Sequence, residues 1–169
     1  IAVGTHEFGV YLENHGTIDI ANNTTLAVTR EGRAELMAGT GFSGDGVFAV
    51  AGGTVFVNTP LTLSKMNISG GELCLSDDLT VTDTFDVTGY GTVFGLGQLV
   101  TQGVSTVAQP MYYMGSGGWR NTGTLNFNAP GRLILGAGAV LTNAPGGTIN
   151  INKTDLAIAG EYNNVGVLD

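Results

Sequence analysis

Carboxylates come first, because an acid and a base held on one face are the least that a glycan-cleaving site requires. The densest group is Asp77, Asp78, Asp83 and Asp86. Asp77 and Asp78 are adjacent in a turn-like stretch, while Asp83 and Asp86 belong to the alternating run that follows. Two chemistries suit such a group, an acid–base pair or a calcium site. Oxygen-rich turns suit calcium, yet neither an Asp-x-Asp-x-Asp-Gly loop nor a nonapeptide calcium roll is present. Lys65 is the nearest cation, and a lyase would set an Arg or Lys beside its calcium. All four also read as ordinary turn and solvent-face residues. The expectation is therefore no catalytic residue and no cofactor, with these aspartates as the calcium candidates.

The remaining reactive side chains are sparse. His6 and His15 are nine apart and have no Cys or His ligand nearby. Cys74 is the single cysteine, which excludes an intrachain disulfide. Its neighbours in Glu72-Leu73-Cys74-Leu75 offer no base, so a small buried side chain is expected. No Gly-x-Ser-x-Gly elbow occurs, and Gly95-Leu96-Gly97 lies between strands with no helix to form a phosphate loop. Sequons at Asn22, Asn23, Asn67 and Asn152 matter only in a glycosylating eukaryote. Tyr112, Tyr113 and Trp119 fall within eight positions. Exposed rings stack on sugars or anchor proteins, so these three are the ligand-contact candidates.

The elements that would position these groups are short strands. Glycine makes up 28 of 169 residues and only 12% are charged, yet 43% are hydrophobic, too many for a disordered chain. Runs such as Thr54-Val55-Phe56-Val57, Leu79-Thr80-Val81-Thr82 and Thr124-Leu125-Asn126-Phe127 alternate apolar and polar residues between Gly, Asn, Asp or Pro. The one stretch without strand character, Glu31 to Ala38, is too short and glycine-flanked for a helix. A net charge of −8 with six Lys and Arg excludes a phosphate-binding surface and a polybasic anchor. No apolar run is long enough to insert in a membrane.

An internal repeat organises the strands. Asn14-His15-Gly16-Thr17-Ile18, Asn121-Thr122-Gly123-Thr124-Leu125, Asn143 through Ile151 and Asn164-Val165-Gly166-Val167-Leu168 read alike, with a looser copy at Asn58-Thr59-Pro60-Leu61. Their leading asparagines lie 44, 63, 22 and 21 residues apart, all multiples of 21 to 22. The reading is an all-β, right-handed parallel β-helix of about eight coils of about 21–22 residues, one domain over 1–169. Each coil holds about three strands, which stack about 4.8 Å apart on those of the next coil. The five asparagines, Asn14, Asn58, Asn121, Asn143 and Asn164, are expected as structural residues of one corner, as an inward amide ladder or as turn formers. Trp119 is then either a ligand contact or a cap over the apolar bore.

Residues Gly70–Leu99, Trp119–Phe127, Leu133–Ile151 and Tyr162–Gly166 resemble repeats of large bacterial surface and adhesin-like proteins with β-helical, autotransporter-type passengers. The likeness covers some 100 residues well and the first 69 loosely. It departs at Ala108 to Gly118, an apparent insert. The resemblance implies an extracellular or cell-surface spacer or presenting surface without catalysis. Expected partners are neighbouring repeats or further copies end to end, with glycans or a host-surface protein on the outside. Two rival readings are a self-assembling filament subunit and a carbohydrate-binding or polysaccharide-cleaving module. The strand at Asp169, with no capping element after it, is read as a segment of a longer repeat protein.

Overall fold

The computed structural model describes residues 4–128, 130–152, 158–159, 161–164 and 166–168. Among them there is no helix, and every strand pairing is parallel. The chain winds as a β-solenoid with three faces. The first face runs from Gly4–Phe8 through Thr24–Thr29, Val104–Val107, Thr124–Asn128 and Thr148–Asn152 to Val167–Leu168. The second face includes Tyr11–Asn14, Arg33–Leu36, Gly91–Gly95, Pro110–Tyr113 and Arg132–Leu135. The third face includes Leu99–Thr101, Trp119–Asn121, Val140–Asn143 and Glu161–Asn164. Three long strands bend round corners: Val47–Val57 and Leu79–Val87 serve two faces each, and Leu61–Leu75 serves all three.

Following the second face from Tyr11 to Ala159 counts eight stacked strands and seven full turns. Coil length is not uniform. It is 18 residues from Thr54 to Glu72, 20 from Glu72 to Thr92, and 25 from Ile134 to Ala159. The 21–22 spacing is therefore an average of unequal coils. Two segments differ from their sequence reading. Arg33–Leu36, inside the stretch without strand character, is a second-face strand. Pro110–Tyr113, inside the apparent insert, is an ordinary second-face strand paired on both sides, with Gly91–Gly95 and Arg132–Leu135. The unusual side chains there conceal a regular coil.

Alternation fills the interior. On the first face Phe48, Met66 and Phe85 stack through successive coils, with Leu125 and Ile149 continuing the row beyond Ser105, and on the second Val55, Leu73, Val93, Tyr113 and Leu135 do the same. Each buried side chain of this size contributes about 1.5–3 kcal/mol of transfer free energy. Glycine is required where coils touch closely. At Gly71, φ is +80° and an added Cβ would lie 2.2 Å from the Gly53 carbonyl oxygen of the coil below.

The hydrogen-bonded wrap is broken at one place. Thr17–Asp19 and Gly41–Ser43 pair only with each other, apart from the main sheet. Their inward residues, Ile18 and Phe42, sit at the middle of each strand. The next third-face segments turn Leu61 and Leu63, then Leu79 and Val81, inward from the first and third positions. The pleats are one residue out of phase, and strands out of phase present the wrong faces to each other.

Candidate functional site

The four aspartates do not converge. Asp77 and Asp78 occupy the corner that leads into the third face. The Asp77 carboxylate accepts the backbone N–H of Asp78 at 2.9 Å, and that of Asp78 accepts the Gln98 N–H at 2.8 Å. Asp83 lies beyond the third-face segment, 3.7 Å from the Lys65 ammonium. Asp86 stands on the first face, in an outward row between Asn67 and Thr106. Partial burial raises its carboxyl pKa, opposed by a hydrogen bond with Thr106. The sequence cluster is thus split between two corners and a sheet face, so these residues build neither an acid–base pair nor a calcium shell. Among the described residues no three His, Cys, Asp or Glu side chains come together around a metal position.

The aromatic trio also separates. Tyr113 and Trp119 are buried, at 0% and 1% exposure, and only Tyr112 faces solvent, at 45%. Period-two alternation explains this, since Met111 and Tyr113 face the bore and Tyr112 between them faces out. The Tyr113 hydroxyl donates to the Gly118 carbonyl at 2.6 Å, and burial pushes its phenol well above the ordinary value. The Trp119 ring stacks on Tyr113 with centroids 6.4 Å apart and meets Phe85 edge-on at 5.5 Å. Tyr113 and Trp119 are therefore packing residues rather than ligand contacts, and Tyr112 alone keeps that candidacy.

Three of the five asparagines share a row. Asn121, Asn143 and Asn164 are register partners at the end of the third face. The Asn121 amide donates to Asn143 Oδ1 at 2.8 Å and to the Thr148 carbonyl at 3.1 Å. Asn143 donates to the carbonyls of Gly147 at 3.2 Å and Val167 at 3.0 Å. The chain of bonds starts one coil earlier, where the Trp119 indole N–H donates to Thr101 Oγ1 at 3.0 Å and the Thr101 hydroxyl to Asn121 Oδ1 at 3.4 Å. The side chain of Asn164 lies outside the described residues. Asn14 and Asn58 belong to a different corner, one face earlier. Asn14 pairs with Leu36 on the second face, and Asn58 follows Val57, which also pairs with Leu36. Their spacing in multiples of 21 to 22 is a coincidence of unequal coils.

His15 and Glu13 pair on the first coil at 2.8 Å, in the open. Their hydrogen bond raises the imidazole pKa and lowers that of the carboxylate, which also accepts from the Tyr11 hydroxyl. Cys74 differs from expectation. It faces outward between Phe56 and Phe94, half-buried, and burial raises its thiol pKa. A hollow lined by Ile20, Phe42, Phe48 and Leu63 beside the out-of-phase strands encloses about 10 Å³, room for about one water. Sequence reasoning missed the apolar residues around Tyr112 on the solvent side, namely Tyr90, Phe94, Leu96 and Met114. The available signal was Phe and Met at outward positions, where the other strands carry Thr or Asn.

The faces, the filled bore and the axial amide row define a parallel β-solenoid. Compared with protein-family models, curated proteins and solved structures, the chain matches none, so no family is assigned to it.

Proposed function

We propose that this chain is a rigid extracellular spacer, which holds attached parts away from a cell surface and presents its own outer faces without catalysing a reaction. The observation that carries this reading is the parallel ladder of the first face. It links Gly4–Phe8 to Val167–Leu168 through eight consecutive pairings, closed over an apolar interior. At about 4.8 Å per step, those eight steps span roughly 38 Å. Continuous bonding along the first and second faces resists bending, and the Asn121–Asn143 row adds side-chain bonds along the axis.

The likeness of Gly70–Leu99 and Leu133–Ile151 to adhesin-like passenger repeats supports a place outside the cell. The scarcity of cations, six against fourteen carboxylates, disfavours nucleic acid as a partner. No helix among the described residues is long and apolar enough to cross a membrane. Partners consistent with this role are adjoining repeats, further copies end to end, and a glycan or host-surface protein on an outer face. Antibodies raised against the folded chain test the location. Labelling of intact source cells, lost after protease shaving, is expected, and labelling only after lysis would contradict the proposal.

A further inference from the structure

The second face carries an apolar patch that its own chain leaves uncovered. One outward row along this face is Glu72, Thr92, Tyr112 and Ile134. In the neighbouring row are Cys74 and Phe94, followed by Met114, whose N–H bonds to the Val93 carbonyl. Tyr112 and Met114 are 45% and 52% exposed, and Tyr90 and Leu96 at the edges of the same face are 69% and 79% exposed. Phe94 and Ile134 are partly exposed between them. Single exposed hydrophobics are ordinary, but a contiguous group marks an interaction surface.

Charges bracket the patch along the axis. Exposed Glu72 lies one coil before Thr92, and exposed Arg132 lies one coil after its register partner Pro110. The ion pairs of the described residues are His15–Glu13, Arg33–Glu35 and Lys65–Asp83, so among the described residues neither bracket charge has an ion-pair partner. The middle of the patch, from Tyr90 to Leu96 and from Pro110 to Met114, carries no charge. On a chain of net charge −8, an uncharged area is where a second copy meets the least repulsion.

We propose that this patch joins two copies of the chain, second face to second face, with their solenoid axes antiparallel. A two-fold axis lying in the interface between the Thr92 and Tyr112 coils reverses coil order and keeps position along the strands. It sets Phe94 of each copy against Met114 of the other, a ring–thioether contact, and Thr92 against Tyr112. It also brings the Glu72 coil opposite the coil that carries Ile134 and Arg132. Arg132 is then two residues from direct opposition, about 7 Å along the strand and within reach of its side chain. The symmetry makes this ion pair twice, as a self-complementary interface requires. A parallel two-fold would set the Glu72 coil against the Glu72 coil and the Arg132 coil against the Arg132 coil, so neither charge would face an opposite one. This inference stands whether or not the chain is a spacer.

Sedimentation equilibrium of the purified chain up to about 100 µM tests it, a range that captures interfaces of modest size. The expected species has twice the 17.3 kDa chain mass. Glu72→Arg or Arg132→Glu alone is expected to raise the dimer Kd about tenfold or more, by replacing attraction with repulsion at both ends. The double variant restores the charge pairs in reverse and is expected to return Kd to within about threefold of the parent. Tyr112→Lys with Met114→Lys leaves a monomer. All four positions are on the surface, and unchanged circular dichroism and melting confirm that each variant folds. A monomer at every concentration overturns the proposal and leaves the patch to a glycan or an unrelated protein. Single charge reversals without effect, or a double variant as weak as the singles, overturn it too.

Discussion

Replacing Asn121 by alanine removes the central link of the amide row. The side chain is fully buried, donates to Asn143 Oδ1 at 2.8 Å and to the Thr148 carbonyl at 3.1 Å, and accepts from the Thr101 hydroxyl. A buried acceptor left without its donor costs about 1–3 kcal/mol. The truncated side chain also leaves a gap in a close-packed corner. Together these predict a loss of about 3 kcal/mol, or about 6–12 °C in Tm for a domain of this size. Guanidinium unfolding followed by the fluorescence of Trp119, the chain's one tryptophan, reads the loss where it occurs, because that indole bonds to Thr101 in the same row. A companion pair sharpens the test. The same row holds Leu63 and Val81 in earlier coils, so an apolar corner is also a workable solution here. Asn121→Leu with Asn143→Leu should therefore cost clearly less than the two single leucine changes added together, since removing both partners strands neither. A loss below about 1 kcal/mol for Asn121→Ala, or strict additivity in the leucine pair, would refute the reasoning.

Three further outcomes follow from the packing. Burial raises the Asp86 pKa, so the folded state holds its proton more tightly than the unfolded one, and stability falls as pH rises through that pKa. Asp86→Asn should thus stabilise the fold at neutral pH by less than about 1 kcal/mol, given its half-exposed position, with the gain vanishing in acid; a destabilised variant at neutral pH would contradict this. Ser105 is buried at 1% exposure with no hydrogen-bond partner for its hydroxyl, so Ser105→Ala should stabilise by about 1 kcal/mol in thermal melts. Gly71→Ala should cost several times more than Gly138→Ala in chemical denaturation. Both have φ +80°, but a Cβ at Gly138 meets nothing within 4 Å whereas at Gly71 it strikes backbone. Equal losses would mean that backbone conformation alone matters there.

Strand type and the stacked-coil architecture were legible because alternation and a repeated turn signal are local. Thr124 to Phe127 alternates as it does because its odd members line the bore, and that holds in any coil. Register was not legible. Each coil turns three corners whose lengths vary independently, so Asn14 and Asn58 kept a plausible spacing to Asn121 while sitting at another corner. Nearness in sequence also misled at the candidate sites. Asp78 and Asp83 are five apart but lie on either side of the third-face segment Leu79 to Val81, which carries them to opposite ends of that face, and Tyr112 and Tyr113 are adjacent but point to opposite sides of their strand. Parity read from Leu133 and Leu135, which pair with Met111 and Tyr113, assigns Tyr113 to the interior once the pairing is known. The fold supplies that pairing, and the sequence of Pro110–Tyr113 alone does not.

The stack itself is tested most directly by a distance along its axis. Thr5 and Val104 face outward on the first face, 99 residues apart in sequence and five coil steps apart in register, through Thr25, Val47, Lys65 and Thr84. Spin labels on Thr5→Cys and Val104→Cys, with Cys74→Ser to remove the native thiol, report that separation by pulsed dipolar spectroscopy. Parallel coils about 4.8 Å apart predict one narrow peak near 24 Å. A broad distribution, or a peak far from that length, would contradict the solenoid and the spacer reading built on it.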